Sequence, residues 1–231
     1  MAATETGTIR MGVVGVGRIG RMHASLLARQ VPGASVAMVH DAHGDVARGV
    51  ADELGVAAAT DVDAVAICTS TDTHADLIVA AARAGKAIFC EKPVSLDLAE
   101  VDRALSAVEE AVVPFQIGFN RRFDPAHAAV AAAVADGTVG EPQLARITSR
   151  DPAPPPLDYV RVSGGIFLDM TIHDFDMARF VTGSEVVEVF ARGAVRVDPG
   201  FAEAGDVDTA VVVLEHAIGC LTTIDNTRQA V

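Results

Sequence analysis

Ile9-Arg10-Met11-Gly12-Val13-Val14-Gly15-Val16-Gly17-Arg18-Ile19-Gly20-Arg21-Met22-His23 is the stretch on which the fold reading turns. Residues 9–14 form a short apolar run of strand type. Glycines at 15, 17 and 20 interrupt it, and Ala24, Ser25, Leu26 and Leu27 continue at helical spacing. In a strand–turn–helix of this kind Gly15 makes the tight turn, Gly17 lets the backbone come close to a pyrophosphate, and Gly20 lets the new helix pack on the strand. The free N–H groups at the start of that helix, around Arg18 and Ile19, are then available to phosphate oxygens. A glycine triplet alone is a weak signal. Here a second strand, Ser35-Val36-Ala37-Met38-Val39-His40, ends in Asp41, about twenty residues past the last glycine, where a ribose-binding carboxylate belongs. The combination predicts a dinucleotide site.

The pattern continues beyond it. The segment 44–54 reads as a helix with Val46, Val50 and Leu54 on one face and Gly55 as its stop. Ala64-Val65-Ala66-Ile67-Cys68 is a strand, 73–84 a helix ending at Gly85, and Lys86-Ala87-Ile88-Phe89-Cys90 a buried strand. Ser95 is placed to cap a helix through 108, and Pro114-Phe115-Gln116-Ile117-Gly118 is one more strand. Such alternation predicts a doubly wound parallel sheet. Val56-Ala57-Ala58-Ala59 is ambiguous. It is either a third strand or a connection, and only Thr60-Asp61-Val62-Asp63 separate it from the next strand, too few for a parallel crossover.

Near Asn120 the character changes. Asp124-Pro125 opens an Ala-rich helix closed by Gly137, Leu144-Ala145-Arg146-Ile147-Thr148 reads as a strand, and the Pro-rich run 151–156 is extended. Gly164-Gly165 precede a helix through about residue 181, and the rest (186–197, 207–214, 220–226) is β-rich. The division expected is a nucleotide-binding domain over 1–119 and an α+β substrate-binding and catalytic domain over 120–231.

Bulk properties narrow the function. A formal net charge of −13 argues against a nucleic-acid partner, which wants clustered Lys and Arg. No apolar run is long and charge-free enough to span a bilayer. The first seven residues are polar, without a signal core, and Cys68, Cys90 and Cys220 are widely spaced in apolar runs. The expectation is a cytoplasmic chain with reduced cysteines acting on a small molecule.

Three segments could carry chemistry, each at a strand end or helix start. Thr69-Ser70-Thr71-Asp72-Thr73-His74 follows a parallel strand, where ligands of open α/β sheets gather, and also reads as a polar turn with a helix cap. Cys90-Glu91-Lys92-Pro93 puts a lysine at the next strand end, either solvated or donating to a substrate oxygen, before a proline whose peptide bond can be cis. Asp169-Met170-Thr171-Ile172-His173-Asp174 places Asp169 and His173 four apart on one helix face. A histidine beside a carboxylate can accept a proton near neutrality, or can simply make local hydrogen bonds. A metal at His173-Asp174-Phe175-Asp176 lacks a matching ligand cluster elsewhere in the chain, so none is expected.

These motifs, with Gly118-Phe119-Asn120-Arg121-Arg122-Phe123-Asp124, occur together and in order. The set resembles the glucose–fructose oxidoreductase, inositol dehydrogenase and rhizopine-catabolism (Gfo/Idh/MocA) family over nearly the whole chain. Ser149-Arg150-Asp151-Pro152-Ala153-Pro154 and 169–176 are most similar to its inositol-oxidising members. The resemblance implies an N-terminal Rossmann domain, a second domain with a mostly antiparallel sheet, and a homo-oligomer, a tetramer in the family. It implies a catalytic trio of Lys92, Asp169 and His173, with NAD held by Gly15, Gly17, Arg18, Ile19, Gly20, Asp41, Thr69, Ser70, Thr71, His74, Glu91 and Lys92. Asn120, Arg122 and Asp151 would join the trio in holding a polyol. The implied reaction is oxidation of myo-inositol to the 2-keto inositol, with Asp41 disfavouring a 2′-phosphorylated cofactor.

Two departures from the family pattern stand out. Members usually carry a crossover helix where this chain has only residues 60–63, and they continue beyond residue 231, whereas this chain stops in what reads as a central strand. The expectation is therefore a second domain with an incomplete sheet and an open edge. The alternatives are another sugar or polyol dehydrogenase of the family, or a non-catalytic nucleotide-binding remnant.

Overall fold

Parallel pairing organises residues 1–118, the first of two compact units; residues 119–231 form the second. The computed structural model describes residues 7–56, 59 and 61–230. In the first unit β1 (Ile9–Val14), α1 (Arg18–Arg29), β2 (Ala34–His40), α2 (Gly44–Leu54), β3 (Ala64–Ile67), α3 (Thr71–Arg83), β4 (Ala87–Cys90), α4 (Leu98–Ala111) and β5 (Phe115–Ile117) alternate. The sheet runs β2-β1-β3-β4-β5, and every neighbouring pair is parallel. Period-two alternation sends adjacent side chains to opposite faces. Ile67 accordingly packs with Ile78 of α3 and Ala104 of α4, while Ala66 packs with Ala24 of α1 and Val50 of α2. The sheet is covered on both sides, as a doubly wound architecture requires.

The connection after α2 departs from the usual repeat. α2 leaves β2 and the chain proceeds to β3, which lies on the far side of β1. Val56 and Ala59 are not in a strand, and Ala57, Ala58 and Thr60 of the ambiguous segment lie outside the described residues, as do the first six residues. Gly55, in the left-handed region at φ 65°, ends α2 as its sequence position suggests. Two helix starts differ from the expectation. α3 begins at Thr71 rather than 73, and α4 is capped by Asp97, which accepts the Ala99 N–H at 2.8 Å. Ser95 instead accepts the Asp97 N–H.

In the second unit Asp124 caps α5 (Pro125–Ala135) by accepting the N–H groups of Ala126 and His127. Four strands, β6 (Leu144–Arg150), β7 (Val186–Ala194), β8 (Thr209–His216) and β9 (Leu221–Thr227), form a sheet in the order β6-β9-β8-β7. The sheet is mixed: β6 and β9 are parallel, the other two pairings antiparallel. Ala210, Val212, Leu214 and His216 of β8 point into the core while Val211 and Glu215 face out. The core side meets α7 (Ile172–Thr182), whose Ala178 packs with Val212, Leu214 and Ile224. The Pro-rich run carries no regular structure before the short α6 (Leu157–Val160), and α8 (Gly200–Glu203) precedes β8.

The helix expected after Gly164-Gly165 is not uniform. Phe167–Thr171 forms a π-helical turn that leads into α7. A π turn takes one residue more per hydrogen-bonded ring than an α turn, a preference set by tertiary packing and absent from local spacing.

The glycine turn yields a stability test. A Cβ on Gly20 would lie 1.8 Å from the Gly15 carbonyl oxygen and 3.1 Å from the Cys68 side chain. Because the first obstacle is backbone, Gly20→Ala is expected to lower stability by about 1–3 kcal/mol or more, read as a lower urea midpoint.

Candidate active site

In a parallel sheet all carboxyl ends open on one edge, and a crevice forms where neighbouring strands lead their helices to opposite faces. Here that point is β1/β3. The loops leaving these strands are the glycine turn and Thr69-Ser70, and they lie against one another. A Cβ on Gly15, which sits at φ 81°, would come within 2.7 Å of the Thr69 backbone. Gly17 differs, because a Cβ there would meet no heavy atom within 4 Å. The backbone at residue 17 is therefore open to close approach, and no side chain caps the N–H groups that begin α1 or α3. Arg18 beside it is exposed, Ile19 half-buried.

Asp41, just past β2, is tied to that turn. Its Oδ2 accepts the Val16 N–H at 2.8 Å and its Oδ1 the His43 N–H at 3.0 Å. These backbone donors, His43 first and Val16 second, hold its carboxyl below the ordinary value. The glycine turn, the open amide groups and an ionised acid beyond β2 fit an adenosine diphosphate-type cofactor with a free ribose 2′-hydroxyl.

The next strand end carries Glu91-Lys92-Pro93, with a cis Lys92–Pro93 bond. Burial pushes the Glu91 carboxyl up, but the His23 hydrogen bond and charge, with the backbone and charge of Lys92, outweigh it and leave it below its usual value. His23 Nε2 lies 2.7 Å from Glu91 Oε1. This contact escaped sequence reading, though His23 follows the last glycine of the motif by one helical turn. His74 is fully buried, with Nδ1 2.8 Å from the Pro93 carbonyl oxygen and Nε2 3.1 Å from that of Thr69. It braces the Thr69 loop against the Lys92–Pro93 turn. Cys68 and Cys90, behind these loops, are free thiols; burial pushes Cys68 up to about 12 and Cys90 higher still.

In the second unit Asp169 sits on the π turn and His173 on the first turn of α7. Asp169 Oδ1 accepts the Tyr159 hydroxyl at 2.8 Å, and its Oδ2 is 3.0 Å from Arg228 Nη1. The His173 ring is half-buried and meets the Phe119 ring edge-on at 6.4 Å. The two acids that follow turn the other way. Asp174, with no exposed surface, accepts from Arg121 Nη1, Ser149 Oγ and Asn226 Nδ2, the last two at 2.7 Å. Asp176 takes Arg122 through Nε and Nη2, and the guanidinium carbon of Arg122 stands 5.2 Å over the Phe180 ring. Both acids thus neutralise arginines. Among the described residues no group of three or more His, Cys, Asp or Glu is placed to hold a metal ion. Asn120 is exposed at the start of a 3₁₀ turn, and Asp151 lies 3.2 Å from Arg228 Nη1. Tyr159, Arg228 and Asn226 escaped sequence reading. For Asn226 and Arg228 the available signal was the polar run Asp225-Asn226-Thr227-Arg228 at the end of a strand-type segment.

Comparison with known proteins agrees with both halves. The profile of the oxidoreductase family with an NAD-binding Rossmann fold matches residues 9–119, and that of the GFO/IDH/MocA C-terminal domain matches 127–231. The chain belongs to the GFO/IDH/MocA oxidoreductases. The myo-inositol 2-dehydrogenase of Thermotoga maritima is 53% identical over 96% of this chain and 70% of that one. The inositol 2-dehydrogenase of Rhizobium meliloti is 49% identical over 96% and 70%. The crystal structure of a Lactobacillus casei scyllo-inositol dehydrogenase with bound NAD(H) and scyllo-inositol superposes with a TM-score of 0.89 at 31% identity, again over 96% and 70%. As a GFO/IDH/MocA oxidoreductase the chain uses NAD, for which its first unit is the binding fold. Among the described residues no helix is long and apolar enough to cross a membrane.

Two variants test this half. Gly17→Ala, facing open space, is expected to leave the urea midpoint unchanged but to weaken NAD binding about tenfold or more, measured by calorimetric titration, because the new methyl occupies the approach of the pyrophosphate. Asp41→Asn tests the acid. A carboxyl held below its unfolded value contributes stability that is complete above that value and lost as pH falls through the folded one. The wild type is expected to exceed Asp41→Asn in unfolding free energy at pH 6–7, and the gap to close below about pH 4.

Proposed function

We propose that the chain oxidises myo-inositol at one ring hydroxyl to the 2-keto inositol, with NAD as hydride acceptor. The observation that carries this reading is identity of 49–53% over 96% of the chain to relatives named for inositol 2-dehydrogenation. Support from the chain itself is the acid–histidine pair at 169 and 173, the acid already fixed by Tyr159 and Arg228.

In this proposal His173 is the base. It takes the hydroxyl proton as the carbon–hydrogen bond breaks and the carbonyl forms, and Asp169 orients the ring and stabilises the imidazolium. Lys92, an obligate donor while charged, hydrogen-bonds the same oxygen and steadies the charge that develops there. NAD, when bound, supplies the hydride acceptor. Asn120, Arg122 and Asp151 are assigned to the remaining ring hydroxyls. Arg122 keeps Nη1 for that task, since Nε and Nη2 engage Asp176. Thr69, Ser70, Thr71, His74 and Glu91 are assigned to the nicotinamide side of the cofactor, His74 by bracing its loop. The reaction would open inositol catabolism in the cytoplasm, in a homotetramer such as the family forms.

The purified protein is expected to generate absorbance at 340 nm with NAD and myo-inositol, faster than with scyllo-inositol or glucose. Absence of NADH from every polyol, with NAD still bound, would favour the non-catalytic alternative. His173→Ala is expected to lower kcat by about 10²–10⁴-fold with NAD affinity unchanged; activity that survives the change removes His173 as the base.

A further inference from the structure

Arg228 stands apart from the other arginines of the second unit. Its side chain is only 3% exposed, and one nitrogen, Nη1, meets two carboxylates: Asp169 Oδ2 at 3.0 Å and Asp151 Oδ2 at 3.2 Å. Nε and Nη2 are buried and find no hydrogen-bond partner among the described residues. An arginine recruited for stability alone is expected to use its planar fork against a single acid, as Arg122 does against Asp176. The backbone fixes Arg228 instead. Its N–H donates to the Asp208 carbonyl at 2.8 Å, and the neighbouring Thr227 carbonyl accepts the Asp151 N–H at 3.0 Å. The guanidinium is thus set at the end of β9 with Asp151 alongside. Asp169 is held from its other oxygen by Tyr159, so the carboxylate has donors on both sides.

We infer that Arg228 is a positioning residue that keeps Asp169 ionised and aimed, and that Asp151 competes with Asp169 for the same cation. A carboxylate ten residues from Tyr159 on a separate turn has many rotamers open to it, and two donors on opposite oxygens leave one. The charged groups that bear on Asp169 include Arg228, Asp151 through that shared nitrogen, and His173 one turn along, with Lys92 the further cation that the proposed function brings to the same site. Arg228 is a permanent cation in direct contact with the acid, so it favours the ionised form at neutral pH. Because Asp151 draws on the same nitrogen, any ligand hydroxyl that engages Asp151 leaves more of the Arg228 charge to Asp169. Polyol occupancy is thereby coupled to the strength of the acid–base pair. The coupling rests on the inositol-oxidising reading; the hold on Asp169 does not.

The test therefore reads the carboxyl directly, without turnover. In full-length protein with aspartate carboxyl carbons labelled with carbon-13, the Asp169 signal is assigned by its loss in Asp169→Asn and then titrated. Arg228→Met is expected to raise its titration midpoint by about 1–3 units, the usual effect of an adjacent arginine. Asp151→Asn, which removes the competitor, is expected to move it down. Arg228→Lys is expected to hold it near the wild-type value, since a single nitrogen makes both contacts and an ammonium can replace it. In turnover the acid limb of the kcat profile is expected to move to higher pH in the Met variant and to return in the Lys variant, which a merely structural role would not produce. An Asp169 midpoint unmoved in folded Arg228→Met overturns the inference. If that variant does not fold, an unmoved midpoint in Asp151→Asn overturns it. If the wild type oxidises no polyol while the carboxyl shifts as stated, the functional reading fails and the assignment to Arg228 stands.

Discussion

A carboxylate sealed from water must be matched by donors or the element carrying it does not stay folded. Asp174 is such a group, and the second unit is arranged to satisfy it. Arg121 comes from the turn that opens the unit, Ser149 from β6 and Asn226 from β9. Asn226 in turn accepts the Thr171 hydroxyl at 2.6 Å, which reaches the π turn. Four separate parts of the chain therefore meet at one acid on the first turn of α7. Removal of any donor leaves a buried charge short of a partner, a loss of about 1–3 kcal/mol or more. The backbone that carries the adjacent His173 is held by this arrangement, because the helix cannot slide or rotate without breaking the set.

Acids alternate in role along 169–176. Asp169 and His173 are the pair assigned to chemistry in the proposal, while Asp174 and Asp176 are neutralised by Arg121 and Arg122. Two adjacent arginines serving two acids two apart is a geometric match between a 3₁₀ turn and a helix face. It also means that the carboxylate oxygens of Asp174 and Asp176 are engaged by arginines within a segment dense in metal-ligating residue types.

Much of this was legible in the sequence where function constrains the local backbone. Gly15, Gly17 and Gly20 each had a distinct steric reason, and Asp41 followed at the span that a βαβ unit imposes. Asp169 and His173 were singled out by a spacing of four, and they lie on the π turn and the first turn of α7. Legibility failed where the answer lay in contacts distant along the chain. Arg228 and Tyr159 reach Asp169 from other elements, and no periodicity announces that. Ser95 and Asp97 are both good caps two residues apart, and the choice fell to the one whose carboxylate met Ala99. The π turn was hidden because an extra residue in a helix leaves no mark on composition. The route from α2 to β3 was unreadable for the converse reason: a short connection states that something is absent without stating which strand becomes the neighbour.

The π turn separates two stretches of one rod. Upstream, Ile166 and Met170 pack with Ala210; downstream, Ala178 packs with Val212, Leu214 and Ile224. An extra residue at the junction means the two stripes are out of phase, and each is seated on its own part of the sheet. The acid lies at the end of the first stripe and the imidazole at the start of the second. Drift in packing on either side can then be absorbed at the dislocation between them, so substitutions that remodel one hydrophobic stripe need not swing the partner side chain borne by the other.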